Sequence, residues 1–340
     1  MSWKTFPKIE LHLHLEGAAD PAFIRGLAQE KSVDIGGIFD EEGAYKYSGF
    51  GEFLQVYEAA TQALQSPEDF QRLTQSVLEN LAEHNVVYAE TFVSPDFCGG
   101  RDLGAWREYL HAMQEAHVEG VTLKGIVTCI RHFGPDKARE TALCAAETAG
   151  DWVVGFGMGG AEDAGKAGDF AYAFDMAREA GLRLTSHAGE WGGAQSVWDT
   201  INDLRIERIG HGVRAIEDPK LVDYLAETGL VLEVNPGSNI ALGVYPSLEQ
   251  HPIAKLRDAG VKVTVSTDDP PFFHTDMTQE FEQLERVFGW GVDDFHALNA
   301  TALDAAFCDA DTKEALAKTL ENYGLVSHRG NLNVISKTSA

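Results

Sequence analysis

Short runs of β-branched and aliphatic residues alternate along this chain with longer stretches whose apolar positions recur every three or four residues. The first pattern belongs to strands and the second to helices. The strand-like runs are Ile9–Leu13, Val86–Thr91, Leu123–Ile130, Val153–Gly157, Arg183–His187, Arg208–Gly210, Val231–Asn235 and Lys262–Thr267. Strands separated by helices must pair in parallel, and eight such units predict a closed (β/α)8 barrel of TIM type, with Val, Ile and Leu filling its interior.

The interval between the first two runs is far longer than one connection needs. Pro21–Lys31, Gly51–Leu64 and Pro67–His84 read as helices. The third opens on Ser66-Pro67-Glu68-Asp69, which combines a capping residue, proline at the first position and acids in the first turn. This helical insertion after strand one lies either over the rim, where it would cover a site, or against the barrel's side. After strand eight, Met277–Phe288, Val292–Ala306 and Asp311–Tyr323 read as extra C-terminal helices, and the polar end SHRGNLNVISKTSA is expected to fray.

A length of 340 residues with 44% hydrophobic positions suits one barrel with an insertion, and no linker or low-complexity tract divides it, so 1–340 reads as a single domain. The formal net charge of −26 argues against nucleic acid, which needs Lys/Arg patches, and against anionic membranes. A neutral small molecule is the expected partner. Cys98, Cys129, Cys144 and Cys308 are scattered without a C-x-x-C, which predicts reduced thiols rather than disulfides or a thiolate zinc site. With no apolar leader and no long apolar run, the expected location is cytoplasmic. Oligomeric state is left open.

The chemistry sits where strands end. His12 and His14 in IELHLHLEG are two apart on a strand, so both imidazoles share one face and can reach one ion. His187 and Glu190 close LRLTSHAGE, where a partly desolvated carboxyl can shuttle a proton. His211 stands between two glycines in RIGHG, as a fourth ligand or as a base beside a bound water. Asp268 and Asp269 end VKVTVSTDDP; strand geometry would turn one to a metal and the other to a substrate. The run Gly155–Gly160 reads as a glycine turn exposing backbone N–H groups, since it lacks the G-x-G-x-x-G of a phosphate loop. The H-x-E with P-C-x-x-C signature of the other zinc deaminase fold is absent.

Taken in order, LHLHLEGA, SHAGE, IGHG, NPGSN and STDDPPFF resemble the adenosine/adenine deaminase family of metal-dependent amidohydrolase-like barrels, from about residue 6 to residue 320. The resemblance implies one Zn2+ on His12, His14, His187 and Asp268, with Fe2+ or Mn2+ able to satisfy the same ligands. It implies that Glu190 protonates purine N1 and that His211 orients and helps deprotonate the attacking water. It also implies that Asp269 holds that water or contacts N7, and that Gly160 offers its N–H to N3. His14 and Glu16 belong to the substrate side of the same site. Two positions depart from the adenosine-specific pattern: Glu16 replaces a common Asp facing the ribose, and Gly160-Ala161-Glu162 replaces an acidic Gly-Asp-Glu. The Ser-Ser-Glu of the adenine branch is also missing. The expectation is hydrolytic deamination of adenosine and 2′-deoxyadenosine at C6, with adenine or a modified adenine nucleoside as the alternative. A two-metal hydrolase is disfavoured because no lysine follows Gly155–Gly160 before Lys166, and a decayed binding protein because no ligand or acid is missing.

Overall fold

The computed structural model describes residues 2–321. Eight parallel strands pair in chain order: β1 (Lys8–His14), β2 (Val86–Val93), β3 (Thr122–Ile130), β4 (Val153–Gly159), β5 (Arg183–Ala188), β6 (Arg208–His211), β7 (Val231–Val234) and β8 (Val263–Val265). The sheet closes on itself just beyond β8. Leu13 bridges Asp268, the His14 amide donates to the Asp268 carbonyl at 2.9 Å, and the Asp268 amide donates to the His12 carbonyl at 3.1 Å. With helices around the outside, this is the (β/α)8 barrel.

Outward positions such as Val127, Phe156, Leu184, Ile209, Leu232 and Val263 join the apolar stripes of the helices in one buried cluster. The interior differs from the expected aliphatic fill. Arg208 lies there between Glu90 (2.6 Å) and Glu233 (2.5 Å), its guanidinium 3.6 Å from the centre of the Phe307 ring. Such charges tolerate burial only when paired and hydrogen-bonded. They are retained because the second oxygen of Glu233 holds His12, 2.8 Å from Nδ1.

Opposite them β4 is nearly bare. A Cβ at Gly155 would stand 2.9 Å from Phe307, one at Gly157 would stand 3.3 Å from Phe92, and one at Gly159 would stand 3.4 Å from His187. The glycine run is therefore strand as far as Gly159, cleared for the ring packing of the interior and for the histidines, rather than a turn. Only Gly160, at φ +92°, begins the turn.

The insertion supplies α1 (Pro21–Lys31), α2 (Phe50–Thr61) and α3 (Pro67–Glu83). The capping box forms: Ser66 Oγ accepts the Asp69 amide at 3.3 Å and Asp69 accepts the Ser66 amide at 2.9 Å. The two expected placements are divided between helices, since α3 packs beside β2 and the helix Leu103–Glu115 while α2 lies over the rim. Helices Met277–Phe288 and Val292–Ala305 follow β8, then one over 310–321. Residues 322–323 of the last expected helix and the polar end 327–340 lie outside the described residues. No helix among the described residues is long and apolar enough to cross a membrane, and all four cysteines are buried and unbridged.

Candidate active site

Strand β1 carries His12 and His14 on its inner face, β5 carries His187, and Asp268 follows β8. His187 Nε2 lies 3.1 Å from His12 Nε2 and 3.3 Å from His14 Nε2. Asp268 Oδ1 lies 3.3 and 3.2 Å from the same two nitrogens. These four separations are 3.1–3.3 Å and all four ligand atoms lie within 4.8 Å of one another, so one divalent ion can bond to the four groups together. Their far sides are fixed as metal ligands require. His12 Nδ1 is held by Glu233 and His187 Nδ1 donates to the Met158 carbonyl at 2.9 Å, which leaves both Nε2 atoms free to converge. Ser238 donates to Asp268 Oδ2 at 2.7 Å. Burial and the neighbouring imidazoles hold His187 well below the ordinary histidine range, in the neutral form a ligand needs.

The alternation expected for Asp268 and Asp269 does not operate. β8 ends at Val265 and Asp268 sits at φ +67°, so this bend, not strand pleat, sends both carboxyls to one cavity. That cavity also contains His14, Gly159, Gly160, His187, Glu190 and His211. Two buried oxygens facing it, Glu190 Oε1 and Asp269 Oδ1, have no hydrogen-bond partner. Burial, then the charges of Asp268 and Glu162, raise Glu190 well above the carboxylate range. Burial, then Asp268, Glu190 and Glu16, do the same for Asp269. Both shifts favour the protonated form, which can donate.

Glu190 does not cap the helix that follows it. Helix Ala194–Leu204 has Gly193 at its N-cap and no side-chain cap. The loop bearing Glu190 is instead gathered around Glu162, whose carboxylate accepts the amides of Gly189 (2.5 Å), Glu190 (3.1 Å), Trp191 (2.8 Å) and Gly192 (2.9 Å). His211 stands beside the four-ligand group, with Nε2 3.7 Å from Asp268 Oδ2 and Nδ1 3.7 Å from Glu190 Oε1.

Glu16 is buried, accepting from the Ser94 amide at 3.1 Å and the Tyr57 hydroxyl at 3.3 Å; burial outweighs these bonds and raises it to about 7. Gly17 leaves no room at its α-carbon, because a Cβ would fall 1.6 Å from Asp269 Oδ1. Helix α2 contributes Phe50, Phe53, Leu54, Tyr57 and Glu58 to the cavity wall. Gly160 is wedged against His132, which accepts the Ala161 amide at 3.2 Å and meets Glu58 at 3.1 Å.

The metal-ligand candidates, Gly160, Glu190, His211 and Asp269 thus meet at one cavity, while Glu16 lies behind its wall, bonded to Tyr57 and Ser94. Reading the sequence missed Glu233, and assigned no role to Glu162, Asn235, Ser238 and Asn239. One signal was available: Glu233 is a lone acid in the otherwise apolar strand VLEV.

The sequence matches the Adenosine deaminase family over residues 7–323. It is 47% identical over 317 residues to an adenine deaminase of Rhizobium rhizogenes, covering 92% of this chain and 98% of that one. Among solved structures, an adenine deaminase from Arthrobacter aurescens superposes with a TM-score of 0.84 at 30% identity, covering 93% of this chain and 98% of the other. An amidohydrolase from Burkholderia ambifaria with bound Zn gives 0.83 at 27% identity, covering 94% and 91%. Similar in sequence and in backbone course over nearly its whole length, this chain belongs to the adenosine deaminase family and is a deaminase.

Proposed function

We propose that the chain hydrolyses the exocyclic amine of adenine, yielding hypoxanthine and ammonia, with one Zn2+ held by His12, His14, His187 and Asp268. The observation that carries the choice of a free base is the wall formed by Phe50, Phe53, Leu54, Tyr57 and Phe97. It offers a sugar only the Tyr57 hydroxyl, which already donates to Glu16. Of the two other polar groups there, His132 is bonded to Glu58 at 3.1 Å, which engages one of the two Glu58 carboxylate oxygens. Each sugar hydroxyl buried without a partner costs about 1–3 kcal/mol. The names of the Rhizobium and Arthrobacter relatives support the same choice. Adenosine and 2′-deoxyadenosine, the main expectation from the sequence, give way to adenine.

A divalent ion on the four ligands supplies, when bound, the Lewis acidity that makes water nucleophilic near neutral pH. Fe2+ and Mn2+ suit these ligands too; the zinc of the Burkholderia neighbour favours Zn2+. Glu190, whose burial favours the protonated form, donates from Oε1 to ring N1 as C6 becomes tetrahedral, so charge does not build on the ring. Asp269 offers its unpartnered oxygen to N7 or to the attacking water, and the Gly160 amide faces N3. His14 borders the base, Glu16 stands behind the wall, and His211 lies beside the reacting oxygen. The whole chain, 1–340, acts as one cytoplasmic catalytic unit on a small molecule, consistent with unbridged thiols and a net charge of −26.

Zinc-loaded protein given adenine should release ammonia and hypoxanthine in equal amounts. Adenine recovered unchanged from protein holding one zinc per chain contradicts the reading.

A further inference from the structure

Behind His211, on the side away from the four ligands, runs a chain of hydrogen bonds whose direction is fixed at its far end. The amide of Ile253 lies 3.2 Å from His251 Nδ1. A backbone N–H can only donate, so His251 Nδ1 is an acceptor and carries no proton. Burial pushes the His251 imidazole down to about 3, so the ring is neutral and its one proton sits on Nε2. His251 Nε2 is 3.1 Å from Asn239 Oδ1, and the bond is donated to that oxygen.

With its oxygen so engaged, Asn239 must present its amide nitrogen to His211, 3.2 Å from Nδ1. An N–H facing Nδ1 requires a lone pair there, and the His211 proton is left on Nε2, the nitrogen directed at Asp268. Asn239, His211 and His251 are all at most 2% exposed, so no solvent path reverses the order.

We propose that Asn239 and His251 are positioning residues that hold His211 as the Nε2-protonated neutral imidazole, so that His211 donates a hydrogen bond to the oxygen attacking C6 and does not take a proton from it. The water's proton leaves to solvent before adenine binds, Glu190 supplies the proton that N1 takes, and the proton of the new C6 hydroxyl passes to the departing amine, which leaves as ammonia. The second half rests on the deaminase reading above; the tautomer does not. The role implied by resemblance, in which His211 helps deprotonate the water, is replaced by that of a fixed donor, which stabilises charge on the oxygen without reorganising. The same chain explains the Asn and Ser of NPGSN: Asn239 sets the tautomer, and Ser238 holds Asp268.

Nitrogen NMR of the zinc-loaded protein labelled at histidine, with the His211 signals assigned by their loss in His211→Gln, reads the tautomer without any turnover. The expected result is a bare Nδ1 and a protonated Nε2 across the neutral range. A proton on Nδ1, or a doubly protonated ring, overturns the proposal. Asn239→Asp tests the consequence. Its carboxylate still accepts from His251 but now also accepts from Nδ1–H, moving the His211 proton and freeing Nε2. A donor role predicts a fall in kcat for adenine of at least about 100-fold, as a wrong tautomer produces in other hydrolases. KM should stay within about threefold, with zinc retained. An unchanged or higher kcat would mean that His211 works as a base. Should this variant not fold, the NMR result on the unmodified protein decides alone. A protein that shows the expected tautomer yet deaminates no aminopurine would remove the deaminase reading and leave the relay standing.

Discussion

Glu233→Gln probes the dependence of the metal ligands on the charged interior of the barrel. Glu233 accepts from His12 Nδ1 (2.8 Å), Thr185 Oγ1 (3.0 Å) and Arg208 Nε (2.5 Å). An amide keeps an acceptor for Thr185 and Arg208 but turns an NH2 group toward His12. The His12 proton then moves to Nε2, the nitrogen that faces His187 and Asp268, and the lone pair points away from the metal position. Loss of such a partner costs about 10–100-fold in metal affinity. At saturating zinc that removes about 1.4–2.7 kcal/mol of linked stability.

A separate cost falls on Arg208, which keeps Glu90 at 2.6 Å but loses one of two counter-charges in a dry interior. We take about 3 kcal/mol, the lower end for broken buried pairs. At about 2.1 cal/mol/K per residue the unfolding entropy of 340 residues is about 0.7 kcal/mol/K. Metal-free melting should therefore drop by about 4 °C, and zinc-saturated melting by a further 2–4 °C or so. Calorimetric melts with and without zinc, with chelator competition for Kd, measure both terms. Wild-type zinc affinity in the variant refutes the orienting role of Glu233, and an unchanged metal-free melt refutes the cost assigned to Arg208.

Three further outcomes are expected. Glu190→Gln should keep zinc and adenine affinity while kcat falls by about 10²–10⁴, the span of a lost general acid, and retained turnover would remove the role given to Glu190. Gly17→Ala forces the Asp269 carboxyl out of its place, so kcat should drop by about 100-fold with zinc still bound; near-normal kcat would show that Asp269 need not sit there. Glu280 is raised to about 7 by burial, against bonds from Thr275 and Gly237. Its folded value exceeds its unfolded one, so its contribution is full below about pH 4.5 and is lost as pH rises through about 7. Metal-free Glu280→Gln should match the wild type at low pH and exceed it at alkaline pH by up to about 3 kcal/mol, read as melting temperature. Parallel pH curves for the two proteins would contradict this.

The hydrophobic periods marked the positions of all eight strands because each alternates apolar outward residues with a distinct inner set, and their ends shifted by only one or two residues. The four ligand candidates were legible for a related reason: polar residues that close apolar strands have few uses other than a rim site. Long-range partners were not legible. Glu162 is separated by 27 residues from the first amide it holds, and Arg208 by 97 from the Ala305 carbonyl to which it donates, distances that no local pattern encodes. The glycines of β4 were misread because a composition that signals a turn also serves wherever a neighbour's side chain needs the space of a Cβ. The direction of the Ile253–His251–Asn239 relay depends on one backbone amide, which only the fold brings into place.

The central claim, that the aromatic wall of α2 selects a free base, is tested most directly by offering zinc-loaded protein adenine, adenosine and 2′-deoxyadenosine in parallel and comparing kcat/KM from the loss of adenine-band absorbance. Two unpartnered sugar hydroxyls at about 1–3 kcal/mol each predict a preference for adenine of at least about 30-fold. Nucleosides turned over as well as adenine, or better, would contradict it.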